Sequence, residues 1–297
     1  MTRLSTWETV GTKANTNNFR ELLAKSNLDY NTVTEDLFIE HAGTKIQVPN
    51  KKVVLREDTK EIFGIVSDRY QLCQNREALE FIDYLDNVTL INAGSVGGFV
   101  WMIGKLPEVT VLGDTVTPHL IFQNSHDGSC SIKTTICMLR IVCQNQFVAS
   151  FKESPATISI RHQGDMNEKL IVARETMQGV YDYVKNYDSV ASELATKKIT
   201  SKKFNEIVEK FFMIPEDASE RTTDSILERR ERFHQAYNAD DNQNFKGTKW
   251  GMINAYSDLI THEEYTRKTS NWETNRFINS LSPTTMNEFM RFIGAAA

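Results

Sequence analysis

The sequence predicts an α+β protein. An antiparallel β-sheet with packed helices is expected over residues 1–165, and a mostly helical domain or extension over 166–297. Two observations carry this. Apolar residues alternate with polar ones in short runs through the first half, and they recur at helical spacing through the second. Strands grouped before helices, rather than alternating with them, argue against a parallel α/β sheet.

Residues 1–30 are polar, with a short helical patch at Phe19, Leu22 and Leu23. Lys45 to Val48 reads as a short strand ended by Pro49. Lys52 to Arg56 and Ile62 to Ser67 read as a hairpin joined by Glu57-Asp58-Thr59-Lys60. Asn75 is placed to N-cap a helix through about Leu85, with Ala78, Leu79, Ile82 and Leu85 on one face. Val88 to Asn92 and Phe99 to Leu106 are strands around a turn at Gly94 to Gly98, and Val109 to Val111 precedes a Gly113-Asp114 turn.

The stretch Pro118 to Phe147 organises this half. Leu120 and Phe122 alternate with His119, Ile121 and Gln123, and a turn is expected from Asn124 through Ser125, Asp127 and Gly128. On the return strand Ile132, Ile136 and Met138 share one parity, and Ser131, Lys133 and Thr135 share a solvated one. Leu139, Ile141, Val142 and Cys143 then enclose Arg140, whose charge needs a polar partner. Helices follow around Leu170 to Val184, Lys202 to Phe212, Thr223 to Tyr237, Trp250 to Leu259 and Thr284 to Ile293.

The chain has 297 residues and a net charge of −5, with 40% apolar and 25% charged residues. That is an ordinary globular composition for one large domain or two modest ones. No apolar run reaches membrane-spanning length, and MTRLSTWETVGTKANTNNF lacks the apolar segment of a secretion signal, so a cytoplasmic location is expected. Cys73, Cys130, Cys137 and Cys143 have no C-x-x-C spacing and read as reduced thiols. His126, Cys130 and Cys137 match no common zinc pattern. The glycine loop before Lys105 fails as a phosphate loop. Five residues separate Gly98 from Gly104, and Leu106 stands where a magnesium-binding hydroxyl belongs. No metal, cofactor or catalytic residue is assigned.

Asp58, Asp68, Asp114 and Asp127 could serve a metal-dependent nuclease, but all sit at turns or strand ends, where Asp is common for local reasons. His126-Asp127 is the sharpest pair, and it too reads as turn chemistry. Lys51, Lys52, Arg56, Arg69, Tyr70, Lys133, Arg140, Arg161 and His162 fall in the strand-rich half and form a candidate nucleic-acid-binding set, with Arg69-Tyr70 joining a phosphate binder to a ring. Taken singly each is an ordinary surface charge or core-edge ring. Trp250, Asn254 and His262 form a second candidate polar cluster, or tertiary glue.

The runs VVLREDTKEIFGIVSDRYQLCQN, NSHDGS and LRIVCQNQF, the helix start from Lys169 to Arg174, and TKWGMINAYSDLITHEEY together resemble the phage/plasmid-like protein family, the domain-of-unknown-function family nine hundred and thirty-two. The last run is similar to that family's Thr-x-Trp-x-x-x-Asn-Ala segment, which closes on a His. Gln146 departs from the family's small polar residue. The resemblance implies a bacteriophage, plasmid or prophage origin, among replication and recombination genes. The order of elements is also similar to the core of single-strand annealing proteins of the RecT and Redβ type, by analogy of fold alone. The expectation is a single-stranded DNA-binding protein that anneals strands without ATP, working as a homo-oligomer in the host bacterial cytoplasm. Lys52 to Arg56 and Phe99 to Leu106 are the runs expected at open sheet edges. The alternatives are a counter-defence (anti-restriction or anti-immunity) protein that binds a host protein, and a metal-dependent nuclease; beside single-stranded DNA, a host or phage protein is the other partner considered.

Overall fold

A computed structural model describes residues 10–140, 145–147, 157–177, 179–262 and 283–294. The architecture is α+β, with two antiparallel sheets and the helices concentrated after residue 165.

The smaller sheet has the order β2-β3-β4, from β2 (Thr32–His41), β3 (Thr44–Arg56) and β4 (Ile62–Ser67). The expected hairpin over Lys52 to Ser67 is present, but Pro49 does not end its strand. Asp36 faces Lys52 while Phe38 faces Gln47, so β3 bulges at Val48 to Lys51 opposite Leu37 alone. A bulge leaves backbone groups outside the ladder, and proline, with no N–H to donate, fits there. Beyond the bulge the β2–β3 ribbon projects as an exposed arm. On one face Val33 lies opposite Leu55, which lies opposite Ile62; Glu35, Val53 and Ile65 form the next row.

The larger sheet runs β1-β5-β6-β8-β9-β10, with β7 on β8 and β11 on β9. Its strands are β1 (Thr12–Thr16), β5 (Thr89–Val96), β6 (Phe99–Lys105), β7 (Val109–Val111), β8 (Asp114–Ser125), β9 (Ile132–Arg140), β10 (Asn145–Phe147) and β11 (Thr157–Ile160). Asn124 and Ser125, expected in a turn, extend β8 because they pair with Val100 and Phe99 of β6. β8 is buried from Val116 through Ser125. The solvated face expected on β9 is absent at Thr135, which is buried like its neighbours. β9 is flanked by β8 on one side and by β10 and β11 on the other, so its centre meets no solvent edge. Both runs nominated as edges are interior: one is β3, the other β6. Ile141, Val142 and Cys143 lie outside the described residues, as do the side chains of Leu139 and Arg140.

The short N-terminal helix α1 (Phe19–Lys25) buries Phe19, Leu22 and Leu23 and is capped by Asn18, whose side chain accepts from the backbone of Arg20 and Glu21. α2 (Asn75–Leu79) continues as a 3-10 turn over Glu80–Tyr84. Its N-cap is Gln74, not Asn75: Gln74 and Glu77 form a capping box. The second half holds α3 (Met166–Met177), α4 (Val180–Thr196), α5 (Ser201–Phe211), α6 (Glu220–Tyr237), α7 (Lys249–Thr261) and α8 (Pro283–Phe292). α3 packs on β11, α4 on β7 and α7 on β10, so one contiguous core runs through sheet and helices. No described helix is long and apolar enough to cross a membrane.

Candidate functional site

Side chains from distant elements converge on the connection from β8 to β9. Asn75 is its hub. Buried on α2, Asn75 donates its amide to the Leu28 carbonyl at 3.0 Å and accepts, on Oδ1, from His126 Nε2 at 3.0 Å and Asn124 Nδ2 at 3.3 Å. Asn124 also donates to the Cys73 carbonyl at 3.1 Å. These bonds fix the amide orientations, and they put the His126 proton on Nε2. The His126 backbone N–H donates to the Gly98 carbonyl at 2.7 Å.

The His126 ring stacks on Phe63 of β4, with centroids 5.7 Å apart, and meets Tyr30 edge-on at 6.0 Å. Burial pushes its pKa down to about 4, helped by repulsion from His162. The ring is therefore neutral, a packing and hydrogen-bonding element. Asp127 accepts the Ser129 N–H at 2.8 Å, the expected turn chemistry. Its backbone is pressed between Gly64 of β4 and Gly98 at the β5–β6 turn, so the loop joins the two sheets.

On the other side of the loop, Tyr70 donates its hydroxyl to the Ser125 carbonyl at 2.5 Å. Ser125 in turn exchanges hydrogen bonds with the backbone of Cys130. The Tyr70 ring stacks on His162, with centroids 4.7 Å apart and planes 19° from parallel. Burial raises the Tyr70 phenol pKa and lowers that of the His162 imidazole. One backbone bond and one side-chain bond lock the two segments: Gln71 N–H donates to the His162 carbonyl at 2.9 Å, and His162 Nδ1 lies 3.1 Å from the Gln71 carbonyl.

The candidate cations divide into groups. Arg69 and Arg161 are exposed and adjoin this Tyr70–His162 stack along the chain. Lys133 is half-buried, in register with Gln123 and Ser159, and close enough to Cys130 to oppose the rise that burial causes in its thiol pKa. Lys52 shares a face of β3 with buried Val54 and stands opposite buried Val66, which faces Gly128 of the loop. Lys51, one residue earlier, points to the opposite face of that sheet. Arg56 is already engaged: its guanidinium binds Asp58 at 2.6 and 2.9 Å and Asn27 at 3.1 Å, and lies 4.2 Å over the Tyr30 ring. Arg140 contributes its backbone to β9, in register with Val116 and Asn145.

Trp250 and Asn254 are buried on α7, where Trp250 meets Tyr187 of α4 edge-on at 5.7 Å; His262 is the C-cap of the same helix. They belong to the helical packing. Asn75, Asn124 and Phe63 were not among the sequence candidates, although the Gln74-x-x-Glu77 spacing could have freed Asn75 from its reading as a cap. A separate cavity of about 280 Å³ is lined by Phe81, Phe122, Ile158 and Leu170, with Glu77 and Glu80 beside them. Among the described residues no group of three or more His, Cys, Asp or Glu side chains is arranged to hold a metal ion.

Fold and loop together define a mixed α+β protein in which a conspicuous histidine-bearing turn is a buried junction between the two sheets. The chain belongs to the family described as Domain of unknown function (DUF932), whose model matches residues 62–280. It is 34% identical over 144 residues to the UPF0380 protein YafZ of Escherichia coli (strain K12), covering 42% of this chain and 52% of that protein. The UPF0380 protein YfjQ of the same organism matches with the same identity and coverage. The chain thus spans about half the length of these curated relatives. No solved structure matches it.

Proposed function

We propose that this protein binds single-stranded DNA through the cationic rim formed by Lys52, Arg69, Lys133 and Arg161, and anneals complementary strands without ATP in the cytoplasm of a bacterium carrying a phage or plasmid. The observation that supports this reading best is the side-by-side placement of Arg69-Tyr70 and Arg161-His162, which lie far apart in the chain but are bolted together by the Gln71–His162 bonds and the ring stack. Phosphates need fixed cations, and a rigid pair presents them at little ordering cost. Tyr70 has a positioning role here: one ring face is taken by His162 and its hydroxyl by Ser125, so the stack holds the backbone that carries the arginines rather than offering a free platform to bases.

The test is fluorescence anisotropy with a labelled single strand across a salt series, using the full chain and the variants Arg69→Ala, Arg161→Ala, Lys133→Ala and Lys52→Ala. Each variant is expected to weaken binding and to flatten the log–log salt slope by about 0.7 for each phosphate left without its cation. Annealing of two complementary labelled strands in ATP-free buffer should fall in parallel. An absence of salt-dependent binding at micromolar protein overturns the reading.

A further inference from the structure

We propose that the face of the β2–β3–β4 sheet turned away from the β8–β9 loop is a self-association surface, covered by the same face of a second copy of this chain. Among the described residues, four of the eleven large exposed apolar side chains lie on this one face: Ile39, Ile46, Ile62 and Ile65. Ile39 and Ile46 are direct cross-strand partners on the projecting arm, and Ile65 completes the row with Val53 and Glu35. The side chains alternate along each strand, so Lys51 and Val53 point the same way while Val54 points into the core. An apolar surface continuous over two rows and an arm is more than the scattered exposure of a monomer.

The charges on the face select the occupant. Between the bulge and the rows of Val33 and Val53 it carries one acid, Glu35, and one base, Lys51, with His41 at the tip of the arm and Glu57, bonded to Asn31, beyond the end of β3; among the described residues neither Glu35 nor Lys51 is held in an ion pair within the chain. A centre with one charge of each sign offers nothing to a phosphate backbone and nothing to a strongly basic partner. It is complementary to itself: a two-fold axis sets Glu35 of each copy against Lys51 of the other, which is the condition for an isologous interface. The surface is distinct from the cationic rim, and the inference does not rest on DNA binding.

Sedimentation velocity of the full chain, free of nucleic acid and run over a concentration series, tests it. The expected result is a concentration-dependent species of twice the mass of one chain. Ile65→Asp should reduce it to the single chain. Glu35→Lys and Lys51→Glu, each substituting an exposed site with little consequence for folding, should each raise the dimer dissociation constant about tenfold or more by juxtaposing like charges. The double variant E35K/K51E should restore it. A single-chain species at every concentration overturns the proposal, and so does a dimer indifferent to the charge substitutions.

Discussion

Gly98 meets Asp127 with no side chain between them: a β-carbon at Gly98 would lie 2.8 Å from both the backbone nitrogen and the β-carbon of Asp127. Backbone cannot yield as a flexible side chain would. Gly98→Ala should therefore lower stability by about 1–3 kcal/mol, the cost typical of overpacking. Its neighbour Gly97 is the contrast, with φ +55° and nothing within 4 Å. Gly97→Ala should cost about 1 kcal/mol from the left-handed backbone alone. Urea unfolding of both variants checks the ordering.

Asn75→Ala would strand three buried groups at once: the Leu28 carbonyl, the His126 Nε2 proton and one amide proton of Asn124. The expected loss is about 3 kcal/mol or more, since each unsatisfied group costs about 1–3 kcal/mol and some relaxation occurs. Asn75→Asp gives up the amide donor to Leu28 and puts an ionisable carboxyl in a buried site, so it too should destabilise, and more at pH 7.5 than at pH 5. Denaturant midpoints at constant slope would show this.

Stability should fall on mild acidification. The folded His126 pKa is depressed from 6.5 to about 4, so between those values the unfolded chain takes up a proton that the folded chain refuses. The contribution is fully present above about pH 6.5, declines as the pH falls toward 4, and is spent below it. Its ceiling is on the order of 3 kcal/mol, at 1.36 kcal/mol per pKa unit. His162, also depressed by burial, acts in the same direction. In His126→Gln the drop in unfolding free energy between pH 7.5 and pH 4.5 should shrink, and an unchanged drop would refute the assignment.

The arm turns through Ala42 and Gly43, both with positive φ, at 51° and 75°. Two such residues in a row make the tight hairpin turn that asparagine followed by glycine favours. Ala42→Asn should remove part of a left-handed penalty of about 1–2 kcal/mol. The gain is local to the arm, so hydrogen exchange at Ile39 and Ile46 should slow while the global midpoint barely moves.

Much of the fold was legible because it is periodic. The alternation in Lys52 to Arg56 and Ile62 to Ser67 pointed to a hairpin, and the spacing of Leu170 to Val184 to helices, since each pattern is set by residues two to four apart. What escaped depends on neighbours that no local window contains. Pro49 reads as a stop unless the bulge opposite Leu37 is known. Asn75 reads as a cap until Leu28, Asn124 and His126 are brought to it from 47 to 51 residues away. Of the candidate cations, Arg56 could have been set aside from sequence, because its partner Asp58 is two residues on. The stacking of Tyr70 on His162 required the fold.

The single core also governs how the chain can be made. Phe289 on α8 stacks on Tyr256 of α7, and α7 is the helix that abuts β10 of the large sheet. β8, buried along ten residues, is complete when Ser125 has been synthesised, yet helices that close the same core follow up to Phe292. On a translating ribosome the apolar sheet therefore emerges well before its cover. The nascent chain passes through an interval of exposed strand, the state in which aggregation competes with folding.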